Sequence, residues 1–215
     1  MDMKRKTGLI LALDVLSRER AIDLATSLAD CFDAIKIGYP LILAAGLEII
    51  SEISKQAPVI ADLKIADIPN TDRLICEQVL GAGASGVIAH AFTGSDSLRA
   101  CANCAGQFGA DLFVVTEMSH PGAREFMGPA AADMARLAVD CGAAGVVAPA
   151  TRPERIKMIR SIVGQMLIIS PGVGAQGGSA KSALQAGADY IIVGRSIIDA
   201  DDPEAKAREL LSQIL

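Results

Sequence analysis

The strongest constraint on the fold is one pattern that repeats eight times: a short aliphatic segment, a polar or Gly/Pro break, and a longer amphipathic segment. The aliphatic segments predict strands at Leu9–Leu13, Ala34–Ile37, Val59–Asp62, Gly86–His90, Leu112–Thr116, Gly145–Ala148, Leu167–Ser170 and Tyr190–Val193. The amphipathic segments predict helices near Arg18–Cys31, Leu41–Lys55, Thr71–Ala82, Ser95–Phe108, Pro129–Cys141, Pro153–Val163, Ser179–Ala186 and Pro203–Ile214.

The predicted strands are continuously apolar, which is typical of a parallel sheet that helices cover. Strand-helix alternation repeated eight times favours the α/β class and a closed (β/α)8 TIM barrel. An open doubly wound sheet is the alternative architecture. Because no linker, low-complexity tract or change of composition divides the chain, we expect residues 1–215 to form a single domain.

Charged residues appear abruptly where the third predicted strand ends, in the segment ADLKIADIPNT. Side chains alternate along an extended backbone, so Asp62 and Lys64 point to the same side, and a turn after Lys64 can bring Asp67 beside them. A solvated ion pair is the ordinary interpretation of charges at a strand end. The position of this cluster after an uncharged run favours a functional site instead.

Polar or small residues lie at the end of every predicted strand, where a barrel carries its active site. They are, in chain order, Asp14, Lys36, Asp62 with Lys64, His90, Glu117 with Ser119, Pro149 with Thr151, Pro171 with Gly172, and Gly194 with Arg195. Each has a structural explanation of its own: Asp14, for example, is able to cap the helix that follows it. Together they place acids and lysines at one mouth, which favours an active site there.

Two glycine-rich segments follow the last two predicted strands. SPGVGAQGGSA is suited to a mobile lid or to presenting backbone N–H groups to an anion, and VGRS adds an arginine after the eighth strand. Barrels often hold a phosphate group at this place. The pair of segments therefore predicts a phosphorylated ligand.

Composition argues against a nucleic-acid partner and against a disulfide framework. The net charge is -5, aromatic residues make up 3% of the chain and Trp is absent, so both the basic surface and the stacking side chains of a nucleic-acid binder are lacking. The five cysteines are scattered, and the zinc-like spacing of Cys101 and Cys104 has no second pair. Met1 to Thr7 is basic without a following apolar stretch of signal or spanning length, so we expect a cytoplasmic protein with no membrane partner.

Five motifs, in this order along the chain, resemble the orotidine 5'-monophosphate decarboxylase family in its short archaeal-type form: AIKIGYPL, DLKIADIPNT, TEMSHPGA, SPGVGAQGG and VGRSI. The resemblance extends from Leu9 to the last predicted helix. It implies a cofactor-free decarboxylation of orotidine 5'-monophosphate to uridine 5'-monophosphate, in pyrimidine biosynthesis. It also implies a homodimer whose active sites lie at the subunit interface.

The resemblance also assigns roles by position. Lys64 is implied to protonate C6 of the pyrimidine as carbon dioxide leaves, in a charged network with Lys36, Asp62 and the Asp67 of the other subunit. The implied substrate-binding residues are Asp14, Lys36 and the other subunit's Thr71 at the ribose, Ser119 at the pyrimidine, Gln176 between Ser119 and the phosphate, Gly194 and Arg195 at the phosphate, and Pro171 beside them. No metal is implied.

Three other functions share part of this pattern, and particular residues argue against each. Relatives with the same Asp-x-Lys-x-x-Asp signature use magnesium to stabilise an enediolate, but Lys36 stands where they carry a metal-site glutamate and would repel the ion. A Schiff-base aldolase needs a neutral, desolvated lysine, whereas Lys64 is flanked by Asp62 and Asp67. A barrel that binds a nucleotide without turnover is the third, and the complete charged cluster argues against it.

Overall fold

In the computed structural model, which describes residues 5–214, eight parallel strands close into a barrel in chain order. The strands are β1 (Leu9–Ala12), β2 (Ala34–Gly38), β3 (Val59–Ile65), β4 (Gly86–His90), β5 (Asp111–Val115), β6 (Gly145–Val147), β7 (Leu167–Pro171) and β8 (Tyr190–Val193). β1 pairs with both β2 and β8, which closes the sheet. The predicted barrel is confirmed and the open sheet is excluded. Part of the predicted Met1 to Thr7 segment lies outside the described residues.

Helices follow every strand and cover the outside of the barrel. They are α1 (Arg18–Ser27), α2 (Tyr39–Ala45), α3 (Glu48–Ile53), α4 (Pro69–Gly81), α5 (Ser95–Gln107), α6 (Ala123–Asp140), α7 (Pro153–Val163), α8 (Ala180–Gln185), α9 (Arg195–Ile198) and α10 (Pro203–Ile214). No helix within residues 5–214 has the length and apolar character needed to cross a bilayer.

The helix predictions were wrong in three places. The predicted helix near Leu41–Lys55 is two helices, because Gly46 adopts a φ of 81°, which ends α2. The sixth helix starts at Ala123 instead of Pro129, so that Pro129 lies inside α6 at the cost of one helical hydrogen bond. A short helix that the sequence pattern did not predict, α9, follows β8 directly.

The barrel interior is filled by alternate strand residues, which set the direction of the side chains at the mouth. The buried interior cluster consists of Ile10, Ala12, Ala34, Ile60, Ile88, Phe113, Val115, Val147, Ile169, Tyr190 and Ile192. Because strand side chains repeat every two residues, Lys36, Asp62 and His90 continue the interior faces of β2, β3 and β4 toward the carboxyl ends. A larger apolar cluster fills the space between the strands and the helices.

Candidate active site

The centre of the mouth is a chain of three charged side chains from β2 and β3. Lys36 Nζ lies 2.8 Å from Asp62 Oδ2, and Lys64 Nζ donates to both Asp62 oxygens at 2.9 Å. Asp14 extends the chain on the other side, with its Oδ1 at 3.7 Å from Lys36 Nζ. Asp62 therefore joins two ammonium groups, one on its own strand and one on the neighbouring strand.

The two lysines differ in burial, and therefore in what their ammonium groups are able to contact. The Lys36 side chain is 9% exposed, whereas the Lys64 side chain is 36% exposed. Both line the same cavity. Lys36 is therefore enclosed by protein, and Lys64 presents its ammonium group to whatever occupies the cavity.

The backbone at Lys64 is in an unusual conformation. Its φ is 45°, the only positive φ at a non-glycine residue among residues 5–214. The pairing of β3 with β4 shifts between Ala61 and Ile65, so Lys64 sits in a bulge. A left-handed lysine is strained, and bulges at barrel rims redirect side chains near active sites. With this backbone conformation, the Lys64 ammonium group contacts the Asp62 carboxylate, which Lys36 also contacts.

Burial and charge act in opposite directions on the pKa values of the buried pair. Burial by itself raises the pKa of the Asp62 carboxyl, but Lys36 and Lys64 outweigh it, so the pKa lies below its ordinary value. Burial by itself lowers the pKa of Lys36, but Asp62 and then Asp14 outweigh it, so that pKa lies above its ordinary value. Both groups are therefore held in their charged forms at neutral pH.

Above this centre opens a cavity of about 790 Å³, large enough for a nucleotide-sized molecule. It is lined by eleven of the predicted rim and site residues, including Gln176 from the lid segment. These are Asp14, Lys36, Asp62, Lys64, Ser119, Thr151, Pro171, Gly172, Gly194, Arg195 and Gln176. Apolar side chains of the barrel interior, Ile88, Val115, Val147 and Ile192 among them, form its floor.

The lid segment is a compact turn between β7 and α8. Gly178 N–H donates to the Gly172 carbonyl at 3.0 Å, and Gly177 N–H donates to the Gly174 carbonyl at 2.7 Å. A side chain at Gly172 would meet Thr151 Cγ2 at 3.0 Å and Ser119 Cβ at 3.1 Å. The lid thus packs closely on the two loops that follow β5 and β6.

The loop that carries Ser119 is fixed by residues that follow β6. Thr151 Oγ1 donates to the Ser119 carbonyl at 3.1 Å, and Arg152 Nη2 donates to the Met118 carbonyl at 2.5 Å. Arg152 also lies 3.1 Å from Glu117, which is 1% exposed and accepts a second bond from Arg155 at 2.6 Å. The sequence analysis did not select Arg152. Its position directly before Pro153, which starts α7, places it in the loop after β6 and could have indicated a rim residue.

Two of the predicted site residues do not reach the cavity within one chain. Asp67 and Thr71 are absent from its lining, and Asp67 is exposed. The Asp67 carboxylate accepts a bond from the Ile68 amide at 2.7 Å instead of pairing with Lys64. The turn after Lys64 therefore does not bring Asp67 beside Lys64, because β3 runs on to Ile65 and carries the chain past the cluster.

His90, Glu117 and Pro149 follow strands as predicted but do not line the cavity. His90 is 9% exposed, and its Nδ1 has no hydrogen-bond partner among the described residues. Burial, and then the nearby Lys64 ammonium, lower the pKa of His90 to about 4. His90 is therefore a neutral imidazole at physiological pH.

The cysteines and acidic residues offer no metal cluster in the part of the chain that the structure describes. No group of three or more His, Cys, Asp or Glu side chains between residues 5 and 214 is placed to hold a metal ion. The five cysteines are free thiols, and all but Cys141 are buried.

The fold and the mouth together define a (β/α)8 barrel with a charged Lys-Asp-Lys centre and a glycine-rich, arginine-bearing rim of the kind that holds phosphate. Residues 7–210 match the model of the orotidine 5'-phosphate decarboxylase / HUMPS family. The chain belongs to this family. The family resemblance that the sequence motifs indicated is confirmed.

Relatives and solved structures agree with this assignment over nearly the full length. The chain is 59% identical over 213 residues to the orotidine 5'-phosphate decarboxylase of Methanococcoides burtonii, with 99% of each chain covered. It is also 59% identical to that of Methanosarcina mazei, covering 99% of this chain and 97% of the relative. The orotidine 5'-monophosphate decarboxylase of Methanocaldococcus jannaschii, in complex with the inhibitor BMP, superposes with a TM-score of 0.92 at 43% identity, covering 96% of this chain and 97% of the other.

Proposed function

We propose that this chain decarboxylates orotidine 5'-monophosphate to uridine 5'-monophosphate without a cofactor, as a step of pyrimidine biosynthesis. The observation that carries the proposal is the Lys64 ammonium, held by both oxygens of Asp62 at 2.9 Å and facing the cavity. The near full-length identity to decarboxylases of this name supports it.

Loss of carbon dioxide from the pyrimidine leaves a carbanion at C6 that the ring delocalises poorly. A fixed cation aimed at that carbon stabilises charge as it develops and then supplies the proton. Lys64 is suited to both tasks, because Asp62 fixes its ammonium group in advance and its side chain stays 36% exposed to the cavity. Asp62 itself is held by Lys36, so the catalytic ammonium rests on an anchored carboxylate.

The remaining cavity residues divide into three binding regions. Lys36 and Asp14 would hold the ribose, since their charged ends lie 3.7 Å apart at the edge of the cluster. Ser119 would contact the pyrimidine ring, with Pro171 beside it. Gly194 and Arg195 would bind the phosphate after β8, and Gln176 would bridge from the lid to Ser119. Phosphate contacts of this kind supply binding energy that closes the lid over the reacting centre.

We further propose a homodimer in which Asp67 and Thr71 complete the site of the other subunit. The Asp67 carboxylate is exposed just outside the mouth of its own barrel, where it has no role for its own cavity. Exposed apolar side chains follow the same strand and its two neighbours: Tyr39 after β2, Ile68 after β3 and Phe92 after β4, which are 50%, 66% and 63% exposed. Because these three strands are neighbours in the barrel, the side chains lie along one part of the rim, which a second subunit would cover.

The family also contains members that stabilise an enediolate with magnesium, and the charged centre argues against that chemistry here. Asp62 is the carboxylate that a metal would need, and it already lies within 2.9 Å of both lysine ammonium groups. A divalent cation at Asp62 would therefore face two positive charges at close range.

The test is the loss of orotidine 5'-monophosphate absorbance with purified protein in excess EDTA. We expect turnover to survive the chelator and to fall by about 10⁴-fold or more in Lys64→Ala, because the variant loses both the electrostatic stabilisation and the proton donor. Lys55→Ala, which removes an exposed lysine of the α3–β3 loop, is the matched control and should keep parental turnover.

Two outcomes would contradict the proposal. Turnover that appears only with magnesium and a sugar phosphate would assign the chain to the enediolate-forming members of the family. Binding of uridine 5'-monophosphate without any turnover of the orotidine nucleotide would make it a nucleotide-binding barrel.

A further inference from the structure

Asp72, in the first turns of α4, is a buried carboxylate that the proposed chemistry does not use. It is 0% exposed, and no lysine, arginine or histidine between residues 5 and 214 forms an ion pair with it. A buried carboxylate without a cationic partner is costly unless hydrogen-bond donors satisfy its oxygens. The identity of those donors therefore shows what the residue does.

The two Asp72 oxygens accept bonds from two different segments at the barrel mouth. Oδ1 accepts from the backbone N–H of Asp67 at 2.9 Å, and Oδ2 accepts from the hydroxyl of Ser97 at the start of α5. Ser97 Oγ lies 2.9 Å from Thr93 Oγ1, which is also 3.2 Å from the carbonyl of His90 at the end of β4. Asp72 thus connects the loop after β3 to the loop after β4.

The same carboxylate closes the turn that leads from Asp67 into the first turn of α4, where Thr71 lies. Its side chain accepts from the Asp67 amide, while its own amide donates to the Ile68 carbonyl at 3.0 Å. Asp67 is further held by the bond from the Ile68 amide to its Oδ1. The direction in which the Asp67 side chain leaves the barrel rim is therefore set by Asp72 and Ile68.

We propose that Asp72 is a positioning residue that aims Asp67, and the adjacent Thr71, into the active site of the other subunit. This inference rests on the proposed function, which places Asp67 beside the other subunit's Lys64. Asp67 is exposed, and within residues 5–214 these hydrogen bonds hold its backbone amide and its carboxylate. Misplacement of a reacting-centre group by about 1 Å costs on the order of 10²-fold in rate.

A purely structural role for Asp72 predicts lower stability with an unchanged active site. The test therefore asks whether the effect of Asp72→Ala on kcat depends on the presence of Asp67. The variants are Asp72→Ala, Asp72→Asn, Asp67→Ala and the double variant Asp67→Ala/Asp72→Ala. Asn keeps an oxygen that accepts from the Asp67 amide and has an N–H for Ser97, whereas Ala removes both bonds. Asp96→Ala is the matched control, because Asp96 is exposed and contacts the Ser97 amide without reaching Asp67.

We expect Asp72→Ala to lower kcat by about 10- to 100-fold with a smaller change in KM, and Asp72→Asn to restore kcat to within about threefold of the parent. In the Asp67→Ala background, the Asp72→Ala change should lower kcat no further, because its effect passes through Asp67. The Asp96→Ala control should match the parent.

Three results would overturn the inference. A folded Asp72→Ala protein with parental kcat, or a loss of the same size with and without Asp67, would show that Asp72 does not act through Asp67. Parental kcat in Asp67→Ala would instead refute the proposed role of Asp67, and the inference with it. If Asp72→Ala fails to fold, Ser97→Ala removes the Oδ2 partner alone, and its effect on kcat must likewise vanish in the Asp67→Ala background.

Discussion

Lys36 Nζ lies 2.8 Å from Asp62 Oδ2, and both side chains are more than nine-tenths buried. Removing one member of a buried pair leaves the other charge uncompensated, which is far more destabilising than removing an exposed pair. The two residues stand on neighbouring strands, so this contact also fixes β2 against β3 at the active-site end.

We expect Asp62→Ala to lower the free energy of unfolding by about 3–5 kcal/mol, because two lysines lose their shared partner. Urea unfolding monitored by circular dichroism measures the change. Asp14→Ala, at 3.7 Å from Lys36 with a 41% exposed side chain, is the comparison and should cost less than about 1 kcal/mol. Equal losses in the two variants would show that burial of the Lys36–Asp62 pair is not important for stability.

The His90 imidazole should make the protein less stable in mild acid. Its pKa in the folded state is about 4 and in an unfolded chain about 6.5, so the unfolded chain binds the proton first. The free energy of unfolding should therefore fall by about 3 kcal/mol from this group as the pH drops from about 6.5 to about 4.

His90→Gln should remove that part of the acid-side loss, whereas His120→Gln, which replaces the chain's other histidine, should keep it. Urea midpoints between pH 4 and pH 7 measure both variants against the parent. An unchanged pH dependence in His90→Gln would contradict the expectation.

The packing of the lid depends on the absence of a side chain at Gly172. Alanine there would bring Cβ within 3.0 Å of Thr151 and 3.1 Å of Ser119, in addition to the strain of a φ of 106°. We expect Gly172→Ala to raise KM for the nucleotide about tenfold, because the lid no longer closes on the Ser119 loop. Gly177→Ala carries similar backbone strain, with a φ of 84°, but meets no atom within 4 Å, so steady-state kinetics should show a smaller rise. Equal effects would assign the loss to strain alone.

Glu117 is the centre of a second buried ion-pair network, and its removal should destabilise the folded protein. It is 1% exposed and holds Arg152 and Arg155, which in turn bond the Met118 and Gly128 carbonyls. We expect Glu117→Ala to lower the free energy of unfolding by about 3–5 kcal/mol. Asp133→Ala removes the exposed pair with Arg136 and should change it by less than about 1 kcal/mol. A loss of similar size in both proteins would refute a special role for the Glu117 network.

Much of the architecture could be predicted from local sequence patterns. All eight strands are found where the aliphatic segments predicted them, and their closure into a parallel barrel is confirmed. The residues predicted at the strand ends share one cavity, apart from His90, Glu117 and Pro149, because parallel strands bring all their carboxyl ends to one rim. The roles assigned to the individual site residues stay predictions, as do the single domain, the homodimer and the cytoplasmic location.

The details that sequence reasoning missed depend on contacts between distant segments. The importance of Arg152 follows from its contacts with Glu117 and Met118, which lie more than thirty residues away. The bonds of Asp72 to Asp67 and Ser97 join two loops, and no local pattern indicates them. The direction of Asp67 likewise depends on where β3 ends, which the pattern placed at Asp62 and the structure places at Ile65.

Apolar periodicity and short motifs are properties of neighbouring residues, so they were enough to predict the order of strands and helices, the barrel class and the family. Which charged side chains contact one another depends on how distant strands pack. Lys36 and Asp62 are brought together by the pairing of β2 with β3, and the left-handed bulge at Lys64 turns that lysine onto the same carboxylate. Burial and distance arise when strands from different parts of the chain pack, so the electrostatics of the mouth are a property of the closed barrel.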